Sequence, residues 1–179
     1  MLYSKKIGIL SIQGSFVEHA QIMRQLKTPF NFVRSKEDLS LITHLIIPGG
    51  ESTTMIKLLN DFGMWTILEQ KLSKNKIKIF GTCAGAIICQ KLGMDIQIER
   101  NAYGSQQESF IDKLKSNKFP NLIGVFIRAP RFTSTNLNVK VLATYNNEPV
   151  LAQQNNFLVS AFHPELNNEL RIHRYFLNM

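Results

Sequence analysis

The sequence has few cysteines, one tryptophan and no long apolar run. The two cysteines among its 179 residues are Cys83 and Cys89. Their spacing matches no usual zinc-binding pattern. Both fall on one predicted strand–turn–helix unit, so we do not expect a disulfide between them. A chain with so few cysteines and no disulfide framework is expected in the reducing cytoplasm.

Several other sequence patterns are also missing. No apolar run approaches the roughly 18 residues that a membrane-spanning helix needs. The first residues lack the small-residue cleavage site of a signal peptide. The G-x-x-x-x-G-K pattern of a phosphate-binding loop does not occur. We therefore expect no membrane association, no metal and no cofactor.

Acidic residues are outnumbered, 13 against 21 lysines and arginines, which gives a net charge of +8. Such an excess raises the question of a nucleic-acid partner. The lysines are scattered, however, and no arginine-rich run or basic strand with interleaved aromatic residues occurs. Solvated surfaces explain the charge best, with an acidic partner surface as the alternative. We expect no nucleic-acid partner.

The order of apolar segments predicts an α/β fold. Hydrophobic residues make up 44% and charged residues 19%, as in an ordinary globular protein. Without repeats or a linker, we expect one domain over residues 1–179. The first half predicts strands that alternate with helices, and residues 95–161 are richer in strands before a helix at 168–177. The first four strands are predicted at residues 7–12, 31–33, 45–47 and 77–80. This alternation favours an open, mostly parallel, flavodoxin-like sheet with helices on both faces, in three layers.

Three serines are candidate helix caps. Ser15 and Glu18 have the spacing of a capping box, in which each side chain bonds the other residue's backbone N–H. Ser35 is predicted to begin a short helix that runs to Leu41. Ser52 is predicted to cap the helix that follows the third strand.

The segment 81–85 (GTCAG) follows an apolar strand and opens a helix. It resembles the G-x-S-x-G nucleophile elbow with Cys83 in the place of serine. A helix N-terminus favours a thiolate, which is the reactive form of cysteine. The imidazole of His163 stands 80 residues later, and the carboxylate of Glu165 two residues after that. Together they are the components of an acyl-transfer triad, whereas each alone could be a core thiol or a loop histidine.

Six segments, in order, are similar to the glutaminase subunit of pyridoxal 5′-phosphate synthase, a class I (triad) glutamine amidotransferase. They are residues 10–14 (LSIQG), 48–53 (PGGEST), 81–85 (GTCAG), 99–104 (ERNAYG), 124–130 (GVFIRAP) and 162–166 (FHPEL). The resemblance covers nearly the whole chain. It departs at Ser15, where the family often has aspartate, at Ser105, and in a short segment between Ala86 and Asp95. That short segment predicts a short elbow helix or a trimmed loop.

The resemblance implies a role for each site residue. Cys83 would be the nucleophile, His163 the proton carrier and Glu165 the residue that holds the imidazole. The backbone N–H groups of Gly50 and Ala84 would form the oxyanion hole. The residues placed around L-glutamine are Gly50, Glu51, Ser52, Arg100, Ile127 and Arg128. Either arginine could instead belong to a structural ion pair.

Other polar residues are assigned more generally. Gln13 is expected to orient the oxyanion loop or to sense the partner. The histidines outside the motifs are interpreted as structural, and Cys89 as a core residue. Those histidines are His19, His44 and His173.

The resemblance also implies a partner. Ammonia released from glutamine would pass to a separate (β/α)₈-barrel subunit that makes pyridoxal phosphate, with many glutaminases around a twelve-subunit synthase ring. One alternative is a glutaminase that serves another acceptor, such as imidazole glycerol phosphate synthase. The other is a non-catalytic binding module with the same fold.

Overall fold

The computed structural model describes residues 5–100 and 109–179. Within these residues the chain forms eleven strands in three sheets. In chain order they are β1 (Ile7–Leu10), β2 (Asn31–Val33), β3 (His44–Ile47), β4 (Lys78–Thr82), β5 (Ile96–Glu99), β6 (Phe110–Lys113), β7 (Ile123–Phe126), β8 (Arg131–Thr135), β9 (Lys140–Tyr145), β10 (Glu148–Gln154) and β11 (Phe157–Ser160).

The main sheet has seven strands in the order β2-β1-β3-β4-β11-β10-β9. The first five are parallel to one another, and β10 and β9 add an antiparallel edge. This order of the parallel strands is the flavodoxin-like one, with β11 as the fifth parallel strand. Strands β1, β3 and β11 are buried along their whole length, as expected for parallel strands covered on both faces. The predicted mostly parallel sheet is confirmed.

Six α-helices and one 3₁₀ turn complete the described chain. They are α1 (Phe16–Gln25), α2 (Lys36–Leu41), α3 (Ser52–Asp61), α4 (Met64–Ser73), α5 (Ala84–Lys91), the 3₁₀ turn (Pro164–Leu166) and α6 (Leu170–Leu177). Helix α5 has eight residues, which agrees with the prediction of a short elbow helix. None of the helices in the described ranges is both long enough and apolar enough to cross a membrane.

Two neighbouring residues of β4 show that the helices cover both faces of the sheet. The Phe80 ring packs against His173 and Phe176 of α6. At Gly81 the backbone of Gly85 in α5 comes so close that a Cβ would lie 2.4 Å from its carbonyl oxygen. Successive residues of a strand point to opposite faces, so α6 and α5 lie on opposite sides. The three-layer arrangement follows.

Two short strands were not predicted. Strand β6 pairs with β7, and β8 pairs with β5, each as a separate antiparallel pair. Most of β6 is exposed, and β8 consists mainly of polar residues around the buried Phe132. Neither segment has an alternation of apolar and polar residues that would predict a strand.

The helix caps agree with prediction at one of three positions. Ser35 caps α2 and forms a full capping box with Asp38. The prediction that Ser52 caps α3 is wrong, because the carboxylate of Glu51 accepts the N–H groups of Thr53 and Thr54, at 2.9 and 2.6 Å.

The capping box predicted at Ser15 is also wrong. Ser15 does precede α1, but its side chain makes no cap hydrogen bond. Its hydroxyl donates instead to Oε1 of the buried Glu165, at 3.1 Å. A hydroxyl turned towards this charged acceptor forms a stronger hydrogen bond than one whose oxygen accepts a backbone N–H.

Candidate active site

Four loops that follow parallel strands meet at one edge of the sheet. They come after β1, β3, β4 and β11, where the carboxyl ends of parallel strands bring ligand-binding loops together. The loops surround a cavity of about 560 Å³. All the predicted site residues except Glu165 line this cavity: Gln13, Gly50, Glu51, Ser52, Cys83, Ala84, Arg100, Ile127, Arg128 and His163.

Cys83 stands at the sharp turn between β4 and α5. Its backbone has φ 50° and ψ −108°, a conformation that non-glycine residues rarely adopt. The turn is held by the Cys83 N–H, which donates to the Ser160 carbonyl at 2.8 Å. The thiol is 3.8 Å from the Ile127 carbonyl. The strained turn and its position at the start of a helix match a nucleophile elbow.

His163 connects the cysteine to the carboxylate. Its Nδ1 lies 2.8 Å from Oε1 of Glu165, so this nitrogen carries the proton that is donated to the carboxylate. Burial alone would lower the pKa of His163, but hydrogen bonds to Cys83 and Glu165 outweigh burial and raise the pKa to about 10. The imidazolium form of His163 is therefore stabilised by its neighbours, the sulfur of Cys83 and the carboxylate of Glu165.

Glu165 lies behind His163 and is almost completely buried. Burial would raise the pKa of this carboxyl, yet His19 and His163 lower it to about 2. The carboxylate therefore stays ionised at neutral pH. A buried anion in this position can hold the His163 imidazole in one tautomer and stabilise its positive charge.

The loop after β3 is held in place by residues of the loop after β1. The Gly49 carbonyl accepts a hydrogen bond from the Ser15 N–H at 2.9 Å. Since the described peptide bonds are trans, the Gly50 N–H points away from that carbonyl. Oε1 of Gln13 accepts the Glu51 N–H at 3.0 Å. Gln13 therefore contacts the loop that carries the predicted oxyanion donor.

Gly49 has no room for a side chain. A Cβ there would lie 2.4 Å from Cε1 of His163 and 3.3 Å from Cβ of Cys83. We expect Gly49→Ala to lower kcat for glutamine hydrolysis by about 10²-fold, because a displacement of about 1 Å in a reacting group has that effect. Gly63→Ala is the control for kcat: its methyl group would meet no atom within 4 Å, and the strain at its φ of 65° falls on a residue that does not line the cavity. Steady-state kinetics of both variants test this, and a fully active Gly49→Ala would contradict the geometry.

The predicted glutamine-binding residues differ in how they are held. Nη1 of Arg100 is 3.3 Å from the Thr53 hydroxyl, and Arg128 has a positive φ of 46°. Neither guanidinium has a carboxylate partner in residues 5–100 and 109–179, so both remain able to bind an anion. The carboxylate of Glu51 is occupied as the cap of α3. Hydrogen bonds with the Thr54 side chain and with the backbone N–H groups of Thr54 and Thr53 lower its pKa to about 2.

Sequence reasoning missed two residues near the triad, His19 and His173. Both side chains are completely buried, and His19 lies next to Glu165. No sequence signal connects them, because they stand on α1 and α6, far apart in the chain.

Two predicted features, the 101–104 part of the ERNAYG segment and Ser105, lie outside the described residues. In the described ranges no three His, Cys, Asp or Glu residues are grouped closely enough to hold a metal ion.

Comparison with known proteins identifies the family. The model of the SNO glutamine amidotransferase family matches residues 9–179. The chain belongs to the SNO glutamine amidotransferase family. Two relatives named pyridoxal 5′-phosphate synthase subunit PdxT, from Thermosipho africanus and Desulforamulus reducens, are 45% and 46% identical to this chain. In both cases the match covers 97% of this chain and 98% of the relative.

Solved structures agree with the family assignment. A crystal structure described as a glutamine amidotransferase is 39% identical and has a TM-score of 0.89, over 96% of this chain and 97% of that one. A putative GMP synthase subunit of Thermoplasma acidophilum has a TM-score of 0.75 at 14% identity, over 99% of this chain and 94% of that one. The second match shows the shared fold alone. The SNO family assignment therefore rests on the first structure, the family model and the relatives.

Proposed function

We propose that this chain, acting as one domain over residues 1–179, hydrolyses L-glutamine to L-glutamate and ammonia for a separate pyridoxal phosphate synthase subunit. The observation that carries the proposal is the arrangement of Cys83, His163 and Glu165. The cysteine occupies a strained elbow in a cavity, and its imidazole partner is hydrogen-bonded to a buried carboxylate. Membership of a glutamine amidotransferase family supports the same reaction.

The first half of the reaction forms a thioester. The Cys83 thiolate attacks the side-chain carbonyl carbon of glutamine, and the His163 imidazolium donates its proton to the departing nitrogen. The carbon–nitrogen bond breaks and ammonia leaves. The raised pKa of His163 suits this step, because the imidazolium is then available as the proton donor.

The second half releases glutamate. His163, now neutral, takes a proton from water, and the hydroxide attacks the thioester carbonyl. The carbon–sulfur bond breaks and the thiolate is restored. The overall reaction converts glutamine and water to glutamate and ammonia. In both halves the carbonyl oxygen becomes an oxyanion. The N–H groups of Gly50 and Ala84, which both line the cavity, are the proposed donors to it.

Two arginines are the proposed anchors for the amino-acid end of glutamine. Arg100 and Arg128 line the same cavity as Cys83. A planar guanidinium can form paired hydrogen bonds with the substrate's α-carboxylate. The backbone of Gly50, Glu51, Ser52 and Ile127 would complete the pocket. Substitution of either arginine should raise KM more than it lowers kcat.

The proposed ammonia acceptor is a (β/α)₈-barrel synthase subunit. The names of the two relatives with 45% and 46% identity support a role in pyridoxal phosphate synthesis. Ammonia becomes protonated in bulk water, so a docked acceptor preserves the nucleophile. We propose a ring of twelve synthase subunits with the glutaminases around it, in the cytoplasm, where both buried thiols stay reduced.

A direct assay tests the proposed function. Glutamate release from glutamine is measured for the chain alone, with its own synthase subunit, and with imidazole glycerol phosphate synthase as a foreign acceptor. We expect release in the presence of the first synthase, together with pyridoxal phosphate formation from glutamine nitrogen. Absence of glutamate release under all three conditions would point to a non-catalytic module.

The synthase is expected to raise turnover more than it tightens glutamine binding. The Gly49–Gly50 peptide lies in a glycine-rich loop, where glycine permits it to reorient if the hydrogen bond from the Ser15 N–H to the Gly49 carbonyl is given up. The contacts of this loop with Ser15 and Gln13 lie at the surface end of the sheet, where a docked partner could fix the Gly50 N–H. An oxyanion donor acts mainly in the transition state, so kcat should rise at least about 10-fold while KM changes less. Equal kcat with and without synthase would mean that the site is already assembled.

A further inference from the structure

The buried carboxylate of Glu165 has its polar neighbours on one oxygen. Oε1 accepts hydrogen bonds from Nδ1 of His163 at 2.8 Å and from the Ser15 hydroxyl at 3.1 Å. Nε2 of His19 lies 3.4 Å from the same oxygen. Oε2 has no hydrogen-bond partner in the described part of the chain. The position of this carboxylate therefore depends on what surrounds Oε1.

His19 is the least expected of these neighbours. Its side chain is completely buried on α1. Nε2 is 3.1 Å from the Thr82 hydroxyl as well as 3.4 Å from Glu165, so one N–H can be shared between the two oxygens. On its other side, Nδ1 is 2.8 Å from Nε2 of His173. Two buried imidazoles thus stand in a row behind the triad.

The direction of the hydrogen bonds follows from the charge at one end of this row. A neutral imidazole has one N–H, and the proton of His19 can be on either nitrogen. With the proton on Nδ1, the lone pair of Nε2 would point at a carboxylate oxygen. With the proton on Nε2, the N–H faces Glu165 and Nδ1 accepts the Nε2–H of His173. The Glu169 carbonyl also acts on His173 and raises its pKa, but Nδ1 of His173 has no partner in normal hydrogen-bond geometry among the described residues. The carboxylate of Glu165 therefore sets the direction of the row.

Burial favours the neutral form of both imidazoles. It lowers the pKa of His19, although Glu165 and Glu18 act in the opposite direction. It also lowers the pKa of His173, to about 3. A neutral donor holds Oε1 without cancelling the negative charge of the carboxylate. That charge remains available to the His163 imidazolium.

We propose that His19 is a positioning residue of the triad, with its Nε2–H directed at Glu165 and His173 fixing that tautomer from behind. The proposal rests on the proposed glutaminase function and adds a role to residues outside its motifs. His19 touches neither glutamine nor Cys83 in this scheme. It acts on His163 through Glu165.

The test is a set of kcat and KM measurements on the glutaminase together with its synthase subunit. His19→Phe keeps an aromatic ring but removes both nitrogens. We expect its kcat to fall about 10- to 100-fold, the size of effect seen for residues that orient metal ligands. Its KM should stay within about 3-fold of the wild-type value. His19→Gln places an N–H near the position of Nε2 and should recover most of the loss. His44→Phe is the matched control, because His44 is a buried histidine that packs against Phe176 and should leave kcat unchanged.

A double-mutant cycle separates positioning from general structural damage. If His19 acts through the carboxylate, His19→Phe should have little further effect in a Glu165→Gln background. Equal losses of kcat in the two backgrounds, or a loss with His44→Phe as large as that with His19→Phe, would overturn the proposal. So would a His19→Phe variant with wild-type kcat.

Folding and function are checked in the same series. Thermal unfolding and binding to the synthase show whether each variant is native. If His19→Phe does not fold, the cycle is run with His173→Phe, which removes the donor to Nδ1 and should lower kcat by about 3- to 10-fold only when Glu165 is present. If the wild-type complex releases no glutamate, the proposed function has failed. If it is active and these variants do not respond as stated, only the role of His19 has failed.

Discussion

Cys83→Ala is expected to reduce glutamine hydrolysis by at least about 10⁴-fold and to leave the fold and synthase binding intact. The reaction needs a covalent thioester, and the methyl group of alanine cannot form one. Alanine has a Cβ like cysteine, so the strain of the turn is unchanged and removal of the sulfur should cost little stability. Glutamate release and thermal unfolding measure the two effects separately.

Cys89 is the control for Cys83. It lies in the core of α5 beneath Gly81, and burial raises the pKa of its thiol well above the usual range. It is therefore unreactive, and Cys89→Ala should retain most of the activity. A glutamine analogue with an electrophilic side chain should modify Cys83 and not Cys89. Mass spectrometry that located the adduct on Cys89 would refute the assignment of the nucleophile.

His163→Asn is the second change with a very large expected effect, again at least about 10⁴-fold on kcat. The imidazole both protonates the leaving nitrogen and activates water. It is hydrogen-bonded to Glu165, and its pKa responds to Cys83. Asparagine preserves an N–H for Glu165 but cannot carry a proton between reactants. KM should change little, because the arginines that bind the amino-acid end are unaffected.

Glu165→Gln is the companion measurement. The carboxylate orients the imidazole and stabilises its charge but transfers no proton, so this variant should retain more activity than His163→Asn. The loss of charge should also lower the pKa of His163, because Glu165 is among the groups that raise it. Near-normal turnover in His163→Asn would contradict these roles. So would a Glu165→Gln variant that is less active than His163→Asn.

The triad residues could be named from sequence because their signals are local. The elbow is a five-residue pattern on a strand–turn–helix unit, and His163 and Glu165 are two positions apart. The parallel sheet was predictable for a similar reason, since strands and helices alternate over short distances.

What could not be predicted depends on residues far apart in the chain. The hydroxyl of Ser15 has a good local partner in a capping box, but the buried carboxylate of Glu165 competes for it. Glu51 and Ser52 are adjacent polar residues, and only the bend of the loop after β3 decides that Glu51 caps α3. The position of His19 depends on how α1 packs against α6, which no spacing in the sequence reveals.

The pairing of β4 with β11 has a consequence for the order of events in folding. In this pairing Ile79 lies beside Phe157, although 77 residues separate them in the chain. Closing such a long loop between parallel strands is slow compared with helix formation. His163 can reach Cys83 only after this pairing has formed. After dilution from denaturant, glutaminase activity should therefore return later than helical circular dichroism, in the last kinetic phase of refolding.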